Sequence, residues 1–253
     1  MPIFNDYALY YDLFYQEKDY PAEAAFVLDR LRANGCACTS LLDLGCGTGR
    51  HCLEFSRSVK RVSGVDVSPV MVSRAMEQRP PDGAGLRFFQ EDIRQVRLGG
   101  HFDAVVSLFH VFSYQTANND LSQAFETAAA HLQPGGLLFF DFWYGPGVLS
   151  SPPETRVRVL ESGGEEVIRI AEPEMRHETD TVDIRYKIIV KNLSTSHCGS
   201  FEETHRMRYL FRPEIELLAG GVGLDVVEFA PWMRCASVGL GDWLAYAVAK
   251  KRP

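Results

Sequence analysis

The segment Leu41-Leu-Asp-Leu-Gly-Cys-Gly-Thr-Gly-Arg-His51 puts glycines at 45, 47 and 49 directly after an apolar run and ahead of a helical pattern. Glycine adopts backbone angles that other residues avoid, so such a turn lets a ligand lie against the main chain beside the start of a helix. Two ligand chemistries compete for a turn of this kind. A dinucleotide fingerprint spaces its glycines G-x-G-x-x-G and seats pyrophosphate over the helix start. The spacing here is G-x-G-x-G. Asp43, two residues before the first glycine, would repel a pyrophosphate and suits a ligand carrying an ammonium or sulfonium cation. A nicotinamide dehydrogenase is therefore disfavoured.

The elements that must hold this turn are legible around it. From Ser40 to Phe142 short apolar runs alternate with helical patterns, the mark of βαβ units and a mostly parallel sheet. Strands are expected at Leu41–Leu44, Arg61–Asp66, Leu86–Gln90, Asp103–Leu108 and Leu137–Phe142. Helices are expected at Thr48–Arg57, at Val70–Gln78 behind a Ser68 cap and Pro69, and from about Asp120 to Leu132, stopping at Pro134-Gly135-Gly136. Between about Arg156 and Phe211 the period becomes two, as in Val182-Asp-Ile-Arg-Tyr-Lys-Ile-Ile-Val190, which reads as antiparallel strands with one wet face. A short helix (Glu214–Ala219) and two strand-like runs (Leu224–Phe229, Trp243–Ala249) close the chain. The expected division is an N-terminal lid and helix over 1–35, an α/β core over 36–150 and 213–253, and a β-rich insertion over 151–212.

Composition narrows the function. With 253 residues, 46% hydrophobic and 23% charged, the chain is an ordinary globular one. A net charge of -7 argues against a phosphate backbone as main partner. The start, MPIFNDYALYYDLFYQEKDY, lacks a basic n-region, and no apolar run is long enough to span a membrane. Six cysteines without a second half at zinc-ligand spacing read as reduced thiols, so no metal site is expected and the location is read as cytoplasmic.

The glycine turn resembles motif I of class I S-adenosylmethionine-dependent methyltransferases, and later positions match in order: Gly64-Val-Asp-Val-Ser-Pro-Val-Met71, Gln90-Glu-Asp-Ile93, Phe102–His110 and Leu132-Gln-Pro-Gly-Gly-Leu137. The resemblance implies a Rossmann-like fold, a doubly wound, mostly parallel seven-stranded sheet carrying the antiparallel insertion. It implies S-adenosylmethionine as cofactor and S-adenosylhomocysteine as product. The residues it assigns to that cofactor are Asp43, Gly45, Cys46, Gly47, Thr48, Gly49, His51, Asp66, Val67, Met71, Asp92, Ile93 and Leu108. Within this set Asp66 takes the ribose hydroxyls, where two acceptor oxygens suit a vicinal diol. Asp92 takes the adenine amino group, and Ile93 packs on the ring.

A narrower resemblance concerns the methyl acceptor. Tyr11-Asp-Leu-Phe-Tyr15, Lys18-Asp-Tyr20, Phe142-Trp-Tyr144, the insertion and Tyr209–Glu214 are similar to the nucleotide-sugar N-methyltransferases that make dimethylamino sugars. This implies a small polar acceptor, with an amino group of a nucleotide-linked sugar foremost. O-methylation of a sugar or other metabolite and a non-catalytic binding module are the alternatives. An amine is largely protonated at neutral pH, so a group must take a proton before attack. Tyr15, His110 and Tyr114 are the candidates, and Tyr114 stands where the resemblance leads one to expect a histidine. Base-methylating enzymes present [DN]-P-P-[YF] after the fourth strand, whereas this chain has Ser107-Leu-Phe-His110, so a nucleic-acid substrate is not expected. The insertion could roof the acceptor pocket or form a homodimer surface through its edge. Arg156, Arg158, Arg169 and Arg185 lie on its strands and could grip a diphosphate. An anionic acceptor would need such a local basic pocket against the overall charge.

Overall fold

The computed structural model describes residues 7–80 and 85–253, so the first six residues of the expected lid lie outside the described residues. The described chain begins with two helices, α1 (Tyr7–Phe14) and α2 (Tyr20–Ala33). Asp19 caps α2 by accepting from the Ala22 N–H at 2.9 Å, and Pro21 lies in the first turn, where no backbone donor is needed. Strand and helix then alternate through β1 (Ser40–Leu44), α3 (Arg50–Ser56), β2 (Arg61–Asp66), α4 (Pro69–Glu77), β3 (Leu86–Gln90), β4 (Phe102–Ser107), α5 (Asn118–His131) and β5 (Leu132–Trp143). Ser68 caps α4 as its sequence foretells, accepting from the Met71 N–H at 3.4 Å.

Past β5, α6 (Gly145–Ser150) leads into four antiparallel strands, β6 (Arg156–Ser162), β7 (Glu165–Arg176), β8 (Thr181–Asn192) and β9 (Cys198–Arg208). They form a separate sheet in sequential order. The chain returns through α7 (Arg212–Gly221), β10 (Leu224–Pro231) and β11 (Leu244–Lys251). The large sheet has the order β10-β11-β5-β4-β1-β2-β3, in which β11 runs antiparallel to its neighbours β5 and β10 and the other six strands run parallel. This is the Rossmann-like methyltransferase arrangement.

Helices cover both faces of that sheet, which is why β1 is buried at every position. Val27, Leu31, Phe55 and Val72 fill the layer under α2, α3 and α4. Phe112, Phe125, Phe140 and Ile215 fill the layer under α5 and α7. The inner face of the small sheet packs Val167 and Ile188 on Tyr7 and Phe14 of α1, and Val182, Ile184 and Met207 on Trp143. Its outer face is wet, lined by pairs such as Arg185–Glu172 and Arg206–Asp183.

Two boundaries differ from expectation. α5 ends at His131 and β5 begins at once, because Leu132 pairs with Phe102 before a register irregularity frees Asp103. Pro134-Gly135-Gly136 is therefore an interruption inside the strand, exposed at Pro134 and Gly135 and buried again at Gly136, with Gly135 at φ +77°, not a separator between helix and strand. The one-turn helix Val111–Tyr114 and α6 are too short to leave a helical period in sequence. Among the described residues no helix is long and apolar enough to cross a membrane.

Candidate active site

Strand order reverses between β1 and β4, and in open α/β sheets the crevice outside the carboxyl ends at such a reversal holds the ligand. Asp43 sits at that end of β1, 1% exposed. Its Oδ2 accepts from the Cys52 thiol at 3.3 Å, and its buried Oδ1 has no protein partner. Burial pushes its carboxyl up to about 6, against the pull of His51. In the turn that follows, Gly47 has φ +54°, and an added Cβ would meet nothing within 4 Å. Gly49 has φ +78°, and a Cβ there would stand 2.7 Å from Phe88 Cζ and 2.9 Å from Ala75 Cβ. The first glycine leaves a backbone face open; the second lets α3 close against β3.

A recess open to solvent lies over this turn. Gly45, Cys46, Gly47, Thr48, Arg50 and His51 form its floor, Leu108 and Phe109 one wall, and Tyr11, Lys18 and Tyr20 the roof. The roof is latched down. Asp12 of α1 accepts from the Thr48 hydroxyl at 3.0 Å and pairs with Arg50 at 3.5 Å and Arg74 at 3.8 Å. Glu23 of α2 bridges Lys18 at 2.5 Å and His51 at 2.8 Å, and Lys18 Nζ lies 4.2 Å over the Phe109 ring. The unpartnered Asp43 oxygen and the open backbone at Gly47 fit a ligand with a cationic end and a chain lying along the turn.

The remaining expected residues divide. Asp66 joins the recess through Gly47, whose N–H it accepts at 2.9 Å while its other oxygen accepts from Ser68 N–H at 2.9 Å. Burial pushes its carboxyl up, with both backbone donors opposing. Val67 is exposed beside it, and Met71 is buried in the first turn of α4. Ile93 packs into the apolar layer under the sheet. Asp92 is engaged elsewhere. Its two oxygens take all four bonds from the backbone and guanidinium of Arg94, which holds the carboxyl below its ordinary range.

Beyond β4 the backbone is strained: Phe109 and His110 sit at φ +65° and +64°, consecutive side-chain-bearing residues in the left-handed region. Each such residue costs on the order of 1–3 kcal/mol and persists only where its surroundings impose it. Asp141 of β5 imposes it here, accepting from the His110 N–H at 3.3 Å and standing 2.6 Å from the His110 Nδ1. That ring contact is close, but its angle misses a straight hydrogen bond. Burial opposes the Asp141 charge, but His110 and Lys18 outweigh it and hold the carboxyl low. Sequence reasoning misses Asp141, although its signal is there: one acid inside the apolar run Leu137–Phe142 must have a partner.

Tyr15 stands with its ring 4.8 Å from that of Phe109, edge to face, and its hydroxyl 3.3 Å from that of Tyr7. Tyr114 meets His205 of β9, Oη to Nδ1 at 3.0 Å, and His205 Nε2 lies 2.9 Å from Glu203. Burial pushes the Tyr114 phenol well up. An imidazole thus reaches this corner from β9, at a position that only strand alternation turns inward.

The chain matches known proteins over the whole of this architecture. Residues 41–136 match the family described as Methyltransferase domain. The chain is 30% identical over 239 residues to dTDP-3-amino-3,4,6-trideoxy-alpha-D-glucopyranose N,N-dimethyltransferase of Streptomyces venezuelae, covering 93% of this chain and 98% of that one. The crystal structure of Streptomyces venezuelae DesVI superposes with a TM-score of 0.80 at 28% identity, covering 98% and 99% of the two chains. The sugar N-methyltransferase KedS8 from Streptoalloteichus sp. gives 0.80 at 25% identity over 96% and 93%. The glycine turn, the strand order and this near full-length similarity lead to one conclusion: the chain belongs to the class I S-adenosylmethionine-dependent methyltransferases.

Proposed function

We propose that the acceptor is an amino group of a nucleotide-linked sugar and that His110 is the general base. The observation that carries this reading is the His110–Asp141 pair, fixed on strained backbone at the carboxyl edge of β4 and β5. S-adenosylmethionine supplies an electrophilic methyl on a sulfonium. On the protein side, Asp43 takes the cofactor's ammonium on its free oxygen, the turn from Gly45 to Gly49 carries the chain of the ligand with Cys46, Thr48 and His51 around it, and Asp66 takes the ribose. Val67, Met71, Ile93 and Leu108 flank the ribose and adenine. Asp92 reaches the adenine amino group only by giving up a bond from Arg94.

An ammonium acceptor must lose a proton before its nitrogen can attack. With Nδ1 turned to Asp141, His110 offers Nε2 to take that proton, and the carboxylate stabilises the imidazolium that results. Tyr15 and Tyr114 orient the acceptor from the lid and from the edge of the insertion, which roofs the site. Relatives that act on dTDP-amino sugars support the acceptor class. Methyl transfer measured against nucleotide amino sugars and their hydroxyl analogues tests it. Turnover of the amines is expected; turnover confined to the hydroxyl analogues would sink the reading.

The cofactor assignment has its own test. Asp66→Ala removes a charged hydrogen-bond acceptor, so S-adenosylhomocysteine affinity should fall by about 1.5–3 kcal/mol, roughly 10- to 150-fold, in titration calorimetry. Unchanged affinity would remove the ribose role.

A further inference from the structure

Arginines on an exposed antiparallel sheet are usually solvated or paired with acids across the strand. Of Arg156, Arg158, Arg169 and Arg185, three behave so. Arg185 pairs with Glu172 on the outer face at 2.6 Å, and Arg156 is exposed at the start of β6. Arg158 donates to the Phe14 carbonyl at 2.9 Å and meets Glu17 at 3.7 Å, at the rim of the inner face. Arg169 differs. It is partly buried on the inner face of β7, and among the described residues no carboxylate lies within ion-pair distance of it.

What surrounds Arg169 is aromatic. Its Cζ lies 4.9 Å from the Phe14 ring, 5.6 Å from Tyr186 and 5.9 Å from Tyr15. Among the described residues its one hydrogen bond goes from Nη1 to the Tyr7 hydroxyl at 3.0 Å. A guanidinium carries five N–H donors in a planar fork. Ring faces hold such a group in place without consuming its donors. The fork is therefore positioned and largely unspent. Arg158 and Arg169 also stand directly opposite each other in the β6–β7 register, and like charges so placed repel. Glu17 offsets the Arg158 charge at the rim, whereas the Arg169 charge has no acid within ion-pair distance among the described residues.

We propose that Arg169, with Arg158 at the rim, is the subsite for the diphosphate of the acceptor. This rests on the nucleotide-linked reading of the acceptor given above. The placement agrees with that chemistry: the Tyr15 ring neighbours both Arg169 and Phe109, and Phe109 precedes His110. A sugar beside Tyr15 would present its amine to His110 and its anomeric phosphate to the guanidinium. Bidentate capture of phosphate oxygens is the task for which the arginine fork is suited and lysine is not.

The test is binding of dTDP, and separately of inorganic pyrophosphate, to the S-adenosylhomocysteine-loaded protein, comparing wild type with Arg169→Met and Arg169→Lys. Wild type should bind dTDP, Arg169→Met should weaken it at least tenfold, and Arg169→Lys should fall between. S-adenosylhomocysteine affinity should stay within twofold in both variants, reporting an intact fold; if Arg169→Met loses it, Arg169→Lys decides. Equal dTDP affinity in a folded variant, or no dTDP binding to wild type, overturns the subsite. Methyl transfer separates the two readings. Turnover of a dTDP-amino sugar with the same KM in wild type and Arg169→Met defeats the subsite and leaves the acceptor standing. Arg169-dependent dTDP binding without methylation of any nucleotide amino sugar defeats the acceptor and leaves the subsite standing.

Discussion

Replacing His110 by asparagine is expected to lower kcat for an amine acceptor by roughly 10²- to 10⁴-fold, the usual contribution of a positioned general base. Asparagine is the informative choice because its amide nitrogen can take the place of Nδ1 beside Asp141 and it tolerates the left-handed backbone there. Alanine would leave that buried carboxylate without its partner, and breaking a buried pair costs about 3–5 kcal/mol, which would confuse lost chemistry with lost folding. His110 is not among the residues lining the recess over the glycine turn, so S-adenosylhomocysteine affinity should hold within about twofold. Single-turnover methyl transfer at saturating cofactor reads the effect. A loss under about tenfold would mean that proximity alone carries the reaction. Asp141→Asn should reproduce much of the defect, because an amide no longer fixes the imidazole tautomer or balances its charge.

Asp43→Asn is expected to act in opposite directions on binding and on stability. The Asp43 carboxyl is pushed up to about 6 by burial, above the usual range of an unfolded aspartate. The folded state therefore holds the proton more tightly than the unfolded one. That stability is fully present below about pH 4, falls as pH rises through about 6, and is absent at neutral pH. At about 1.4 kcal/mol per pH unit, the charged form costs the free protein on the order of 3 kcal/mol. The amide of the variant carries no charge to bury, so the free protein should melt higher at about pH 7.5. Cofactor affinity should fall at least tenfold, since the ammonium loses its anion. In wild type, S-adenosylhomocysteine affinity should weaken as pH drops through about 6, and the variant should lack that dependence. Calorimetry from about pH 5 to about pH 8 checks both; a parallel pH dependence in the variant would move the ammonium contact elsewhere.

What can be read from sequence is what depends on neighbours in the chain. The glycine turn, the Ser68 cap with Pro69 and the alternation along β8 are local patterns, and each element forms where its pattern lies. The doubly wound, mostly parallel seven-stranded sheet is what the family resemblance implies, and the structure adds the order of its strands. What escapes depends on partners distant in sequence. His110 stands out in the sequence, but its partner Asp141 comes from a neighbouring strand. His205 reaches Tyr114 only because the β8–β9 register turns it inward. Asp92 differs in another way: its local motif suggests a free acid, and Arg94, two residues on, donates three N–H groups to it. The break at Pro134–Gly136 misleads because an irregular strand and a turn use the same residues.

Helix α1 has three neighbours at once. Asp12 ties it to the glycine turn, α3 and α4; Tyr11 lines the recess; Tyr7 and Phe14 pack on the small sheet beside Arg169. One short helix is thus a shared wall between the compartment beneath it and the compartment beside it. Whatever a ligand in either compartment does to the position of this wall is felt by the other, and equilibrium linkage requires the two effects to be equal in size.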